Sequence, residues 1–491
     1  MPKKVVIIGS GFAGLSAACF MAKAGWDVTV LEKHSMPGGR ARRLSEQGFH
    51  FDMGPSWYWM PDVFDRFFAS FGKKTTDYYT LIRLDPSYRI YWDKGHTDIP
   101  ADYTALKKLC DTLEPGAGEK LDQFLQEAEY KYRVGINKLV FKPGLKYSEF
   151  LDVELLRGVF KLDVFTSIKN HINKYFKHPQ IRMMMEFPVL FLGALPENTP
   201  ALYSLMNYAD IKLGTWYPEG GMFSVVKAMH ELAISIGVQF KFNHDVRELE
   251  MKKNAVTKLI CSNGAEFDAD IVIGGADYHF IESQLLAPEF RSYSENYWNK
   301  RLMAPGSLLY YIGLNRKLDN VEHHSLFFDV PFDAHARDIY VTEQWPKEPL
   351  FYLSVSSLTD PHAAPEACEN LVFLIPVAAG LEGDSEELRL KYLEIILERF
   401  KRLTGNDIKD NIIFCKTYAH ADFINDYNAF KGNAYGLANT LMQTANLKPS
   451  CRSKKVNNLF YTGQLTVPGP GVPPSLISGE VVAGEVIKRF K

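Results

Sequence analysis

The sequence has no apolar run approaching the ~20 residues that span a bilayer, so any membrane contact is expected to be peripheral. A β-rich run begins at residue 4, so no secretory leader is expected. Charge of one sign is also missing. Lys and Arg number 56 against 58 Asp and Glu, a net charge of −2, which gives no global reason to expect a nucleic-acid partner. Cysteine is sparse. The six (19, 110, 261, 368, 415 and 451) are scattered without a CxxC pair or metal-ligand spacing. They read as buried free thiols in a reducing compartment, and no metal site is expected. His323-His324 does not alter that, because adjacent side chains point apart on any regular element. Repeats and low-complexity tracts are absent.

The first fifty-six residues carry the strongest signal. Val5-Val6-Ile7-Ile8 leads into Gly9-Ser10-Gly11-Phe12-Ala13-Gly14, then an apolar helical stretch, then Val28-Thr29-Val30-Leu31 and Glu32. This is a strand, a tight turn, a helix and a strand closed by an acid. Gly9 allows the sharp turn, Gly11 close approach to a pyrophosphate, and Gly14 close helix packing. The helix N-terminus offers unpaired N–H groups to the phosphates. Glu32 is placed to accept ribose hydroxyls and to repel a 2′-phosphate. The run from Lys33 to Arg42 adds Gly38-Gly39-Arg40, a second clamp on the phosphate side.

Length and composition divide the chain further. With 491 residues, 46 % of them apolar, more than one core is expected. Residues 1–75, 215–290 and 450–491 read as a dinucleotide-binding domain. Residues 76–105 and 291–449 read as a substrate domain floored by a mixed sheet, with strands Ser307 to Gly313, Leu350 to Ser356 and Leu371 to Pro376 and a helix from Ser385 to Leu403. Residues 106–214 read as helical. Within them 131–182 is basic and interleaved with bulky apolar residues, a composition suited to an anionic membrane surface. Near the end, an apolar strand stops at Gly463-Gln464, a Pro- and Gly-rich loop follows, and a helix runs from Glu480 to Phe490.

These motifs resemble the FAD-dependent superfamily of flavin amine oxidases, GTPase dissociation inhibitors and carotenoid desaturases. Phe51-Asp52-Met53-Gly54-Pro55-Ser56, Tyr217 to Met222, Gly432-Asn433-Ala434-Tyr435-Gly436 and Pro468 to Pro473 narrow it to bacterial and fungal-type phytoene desaturases. The fold implied is α/β: a discontinuous Rossmann-like FAD domain, a mixed-sheet substrate domain and a helical, membrane-contacting subdomain. The resemblance implies FAD contacts at Gly54, Pro55 and Ser56, at Val246 near the adenine, at Gly463 and Gln464, and at Gly471, Val472 and Pro473. The last three open a helix whose dipole would face the flavin pyrimidine.

The activity implied is desaturation of a C40 carotenoid by hydride transfer to flavin, with phytoene to lycopene as the first expectation. A 3,4-desaturase of hydroxylated or cyclised, γ-carotene-type carotenoids has the same motifs. Gln464, where amine oxidases carry an acid, argues against that class, and the intact FAD residues argue against a flavin-free GTPase binder. Glu219 is the first choice for a catalytic base, with Asp52, His34 and His50 behind it. Phe187, Leu190, Phe191, Leu192, Tyr310 and Tyr311 are candidates to line an apolar channel. The resemblance also implies oxygen or a quinone as acceptor, a peripheral position on the inner face of the cell membrane, and no nucleic acid. The oligomeric state stays open.

Overall fold

A computed structural model describes residues 2–146, 149, 162–190, 193 and 195–491. Five strands form a wholly parallel sheet in the order Leu459–Tyr461, Ile271–Gly274, Lys4–Ile8, Asp27–Leu31, Gln239–Lys241. Strand alternation assigns each side chain of the first run to a face. Val5 and Ile7 pack with Leu15, Val225 and Val482 of three helices, Phe12–Lys23, Met222–Ser235 and Val472–Phe490. Val6 and Ile8 pack with Val246 and Val256 of a three-stranded antiparallel sheet. Both faces are covered, which is why the strand reads as continuous apolar sequence.

The C-terminal helix begins at Val472, eight residues before the expected Glu480, because Pro473 and Pro474 occupy its first turn. Trp216-Tyr217-Pro218, just before the Met222 helix, is a short strand antiparallel to Leu81–Arg83.

A seven-stranded mixed sheet forms the second layer, in the order Ile412–Tyr418, Gly306–Leu314, Glu369–Val377, Phe351–Ser354, His324–Phe327, Tyr88–Tyr91, His96–Ile99. Helix Glu386–Thr404, N-capped by Ser385, covers one face through Tyr392, Ile396 and Phe400. Tyr88, Ile90, Leu326 and Tyr352 share the opposite core with helices Tyr103–Leu113, Ala117–Val134, Ile168–Tyr175 and Pro179–Leu190.

No helix among the described residues is long and apolar enough to cross a membrane. Lys131, counted above with the basic surface, is fully buried and paired to Asp163 at 2.9 Å. Ile168 and Ile172 are likewise core, whereas Phe165 is 82 % exposed. Within the basic, apolar stretch 131–182, expected at a membrane surface, Phe150, Leu151, Leu155, Leu156, Val159 and Phe160 lie outside the described residues together with Arg157 and Lys161. Four cysteines are buried, but Cys368 is partly exposed and Cys415 exposed.

Candidate dinucleotide site and adjoining apolar cavity

The glycine turn, the second clamp and the C-terminal loop converge on one cavity of about 280 Å³. Its walls include Gly9, Ser10, Gly11, Phe12, Ala13, Glu32, Lys33, Gly38, Gly39, Arg40, Gly54, Pro55, Val246, Gly463, Gln464, Gly471 and Val472. Close packing explains why the clamp is glycine. Gly38 N–H donates to Ser10 O at 2.9 Å with φ at 120°. A Cβ on Gly39 would lie 3.2 Å from Gly11 Cα. A Cβ on Gly54 would lie 2.4 Å from Arg40 O. Gly14 does not line the cavity. It lets the helix meet its own turn, since a Cβ there would fall 2.1 Å from Gly9 O.

Two helices start at this cavity, after Gly11 and after Gly471. Neither has a side-chain cap or an acid in its first turn. Their N-terminal N–H groups are therefore left for an anionic ligand. The helix starting at Met222 makes the contrast. Asp52 accepts from Met222 N–H at 2.7 Å and Phe223 N–H at 3.1 Å. Burial raises its carboxyl to about 6 even so. The two hydrogen bonds make Asp52 a helix cap rather than a proton acceptor open to the cavity.

Glu32 is 4 % exposed. One carboxylate oxygen accepts from Ser10 N–H at 2.8 Å and Ser10 Oγ–H at 2.6 Å, the other from His34 N–H at 2.9 Å. It braces the turn as well as facing the cavity. Lys33 Nζ is directed to Asn425 O at 2.5 Å. Arg40 Nη2 donates to Asn433 O at 3.3 Å, while its buried Nε has no partner. Burial lowers the Arg40 guanidinium, partly offset by nearby Asp277. An orphaned donor on a cation, two uncapped helix ends and a glycine cradle fit a dinucleotide diphosphate.

Besides Gly14, three predicted site residues lie off this cavity. Pro473 sits within the first helical turn. Ser56 bonds Tyr352 OH at 2.9 Å. Glu219 is a correction. It is exposed on a turn whose N–H donates to Thr80 O, so its carboxyl stays in water and away from both cavities. His34 lines the cavity, and burial lowers its imidazole. His50 bonds Ser45 on an exposed hairpin.

A second cavity of about 80 Å³ adjoins the first, with Leu374 and Tyr435 in the walls of both. Phe187, Leu326, Phe328, Phe332 and Ile339 make it apolar. His335 is satisfied within its wall. Its Nδ1 accepts from Leu350 N–H at 2.8 Å, so Nε2–H donates to Pro376 O at 2.8 Å. Burial lowers this imidazole to about 4 and keeps it neutral.

Of the expected channel residues, Phe187 is in place. Tyr310 and Tyr311 are corrections. Tyr310 is in the core under helix 386–404, its hydroxyl donating to Arg389 O. Tyr311 donates to Met53 O at 2.7 Å and so anchors the segment before Gly54. Phe191, Leu192 and the Leu190 side chain lie outside the described residues. Sequence reasoning missed Leu374 and Tyr352 as cavity residues. It had singled out the Gly432 to Gly436 motif without assigning Tyr435 to the site.

Residues 12–487 match the family described as flavin containing amine oxidoreductase. The chain is 41 % identical to a carotenoid 3,4-desaturase of Haloarcula japonica over 486 residues, 99 % of this chain and 98 % of that one. It is 28 % identical to a zeta-carotene-forming phytoene desaturase of Myxococcus xanthus, covering 98 % and 93 %. A putrescine oxidase redesigned at its cofactor site shares the fold at a TM-score of 0.64 and 14 % identity, covering 99 % of both chains.

Proposed function

The chain belongs to the flavin containing amine oxidoreductase family and, within it, to the carotenoid desaturases; we propose that the bond it oxidises is the 3,4 bond of a carotenoid end group, with a hydroxylated, γ-carotene-type polyene as substrate. It is an FAD-dependent oxidoreductase. When bound, FAD supplies the oxidant, taking a hydride from an allylic carbon. The residues around it do the rest. Arg40 and the two helix N-termini would hold its diphosphate and Glu32 its ribose side, and Leu374 and Tyr435 line both the cofactor and the apolar cavity.

The 41 % identity to a 3,4-desaturase carries this preference over phytoene desaturation, the first expectation, whose relative stands at 28 %. Apolar walls keep water from the reacting carbons. Delocalisation of charge along the polyene reduces the demand on a base.

The test offers phytoene and a hydroxylated γ-carotene-type substrate separately to the FAD-loaded protein in liposomes. Products are read by absorption after chromatography. New long-wavelength polyene from the second substrate supports the reading; product from phytoene alone overturns it.

A bilayer-dwelling substrate also leads us to propose peripheral contact with the inner face of the cell membrane, near exposed Phe165, and oxygen or a quinone as acceptor. Flotation with anionic vesicles tests the first, and reoxidation rates with each acceptor the second.

A further inference from the structure

We propose that Ser56, Tyr352 and His324 form a hydrogen-bonding subsite that recognises an oxygen on the end group of the polyene, close to the carbons that react. The proposal rests on the carotenoid-desaturase reading and assigns residues to its substrate specificity.

Position is the first argument. Tyr352 lies in the wall of the apolar cavity and pairs across the sheet with Leu374, which lines both cavities. Ser56 follows directly on Gly54-Pro55 of the cofactor cavity. Tyr352 thus brings its hydroxyl to the wall beside Leu374, and Ser56 and His324, which line neither cavity, bond that hydroxyl.

Bonding is the second. Tyr352 OH lies 2.9 Å from Ser56 Oγ and 2.7 Å from His324 Nδ1. His324 is 0 % exposed, yet its Nε2 has no partner. A serine oxygen takes part in up to three hydrogen bonds, and Ser56 Oγ makes one. Burying polar groups with bonds left unmade is costly. Beside a mainly apolar cavity, a fully buried histidine with a bond left unmade needs a reason.

Chemistry is the third. The imidazole is neutral, held there by burial and by His323 beside it. Tyr352 either donates to Nδ1 or accepts from it, depending on the tautomer, and Ser56 adjusts in step. The cluster thus offers a donor or an acceptor but no charge. That matches a hydroxyl or keto oxygen and not a carboxylate. On an end group oxygenated next to the reacting bond, that oxygen sits within a few bonds of the carbons to be oxidised. The Tyr352 hydroxyl, beside the Leu374 that lines both cavities, suits it.

The experiment uses the FAD-loaded full chain, Tyr352→Phe and His324→Phe. The second variant retains a ring to stack on Trp57, whose ring lies 4.1 Å from that of His324. The probes are a hydroxylated acyclic carotenoid and its deoxy analogue with the same chromophore. Binding is read in detergent by quenching of tryptophan emission, and KM and kcat in liposomes.

The wild-type protein is expected to favour the hydroxylated probe about 10-fold in Kd and KM, and each variant to bring that ratio to about 2-fold or less. Flavin content shows which variants fold, and His324→Phe carries the test if Tyr352→Phe does not. Equal binding of both probes by wild type overturns the subsite and leaves the desaturase reading standing. So does an equal loss of both probes in the variants, which marks a purely structural cluster. Failure of wild type to bind either probe overturns both.

Discussion

The carbonyl oxygen of Ala13, in the first helix, lies 2.5 Å from where a Cβ on Gly479 of the last helix would stand. The two helices touch backbone to backbone, and Ser16 Oγ–H donates to Leu476 O at 2.7 Å beside the contact. Both start at the dinucleotide cavity, so this contact fixes the angle between two phosphate-facing helix ends.

Gly479→Ala is expected to separate those helices, destabilise the protein by about 1–3 kcal/mol and reduce bound flavin. Gly484→Ala, on the same helix but exposed with nothing within 4 Å, is expected to stabilise it by about 0.5–1 kcal/mol. Thermal melts and flavin-to-protein absorbance ratios check both.

Arg40 and Arg42 are two residues apart and have different tasks. Both keep an unpartnered Nε, but Arg42 stands off the cavity and is paired to Asp426 at 2.5 Å, whereas Arg40 is on the cavity wall and donates to the Asn433 carbonyl. Arg40→Met should weaken FAD retention at least 10-fold, on the scale of one charge-assisted bidentate contact. Arg42→Met should cost stability with a smaller effect on flavin. Equilibrium dialysis of apo-protein against FAD measures the difference.

Lys448 is 5 % exposed, its ammonium held by Asn439 Oδ1 at 2.9 Å, and burial lowers it to about 7. Between about pH 7 and the unfolded value near 10.4, the unfolded chain binds a proton that the folded chain does not. This group's contribution to stability therefore rises with pH across that window. Lys448→Met is expected to raise stability by about 2 kcal/mol at pH 7, with the gain shrinking towards pH 10. Denaturant unfolding of both proteins at several pH values checks the sign.

Ala336 is buried in the wall of the apolar cavity. Ala336→Trp should fill that space, lower carotenoid turnover at least 10-fold and leave flavin content near wild type, at a packing cost of about 1–3 kcal/mol. Equal loss of flavin and turnover would mean that the cavity is not separate from the cofactor site.

The first two strands of the parallel sheet and the glycine turn between them are legible because they are local. One strand, one glycine turn and one acid lie within 32 residues, and each glycine carries a backbone requirement that the sequence exposes. The start of the last helix was misread because a Pro- and Gly-rich run looks like a loop until prolines are placed in a first helical turn. The apolar cavity was not legible. Phe187, Leu374, Tyr352 and Tyr435 come from a helix, two strands and a loop, and nothing in their own neighbourhoods distinguishes a cavity wall from core. Tyr310 and Tyr311 show the cost of that. As adjacent residues of one strand they face opposite layers, so at most one could have lined a channel on either face. Glu219 was chosen for its motif, and the turn directs it to water.

Anaerobic mixing tests the central claim most directly. The FAD-loaded protein is combined with a hydroxylated γ-carotene-type polyene, and the flavin and polyene bands are followed together. The account predicts that the flavin bleaches as the polyene band moves to longer wavelength, one double bond per flavin, and that phytoene in its place leaves the flavin oxidised. Flavin bleached by phytoene and untouched by the hydroxylated polyene would contradict it.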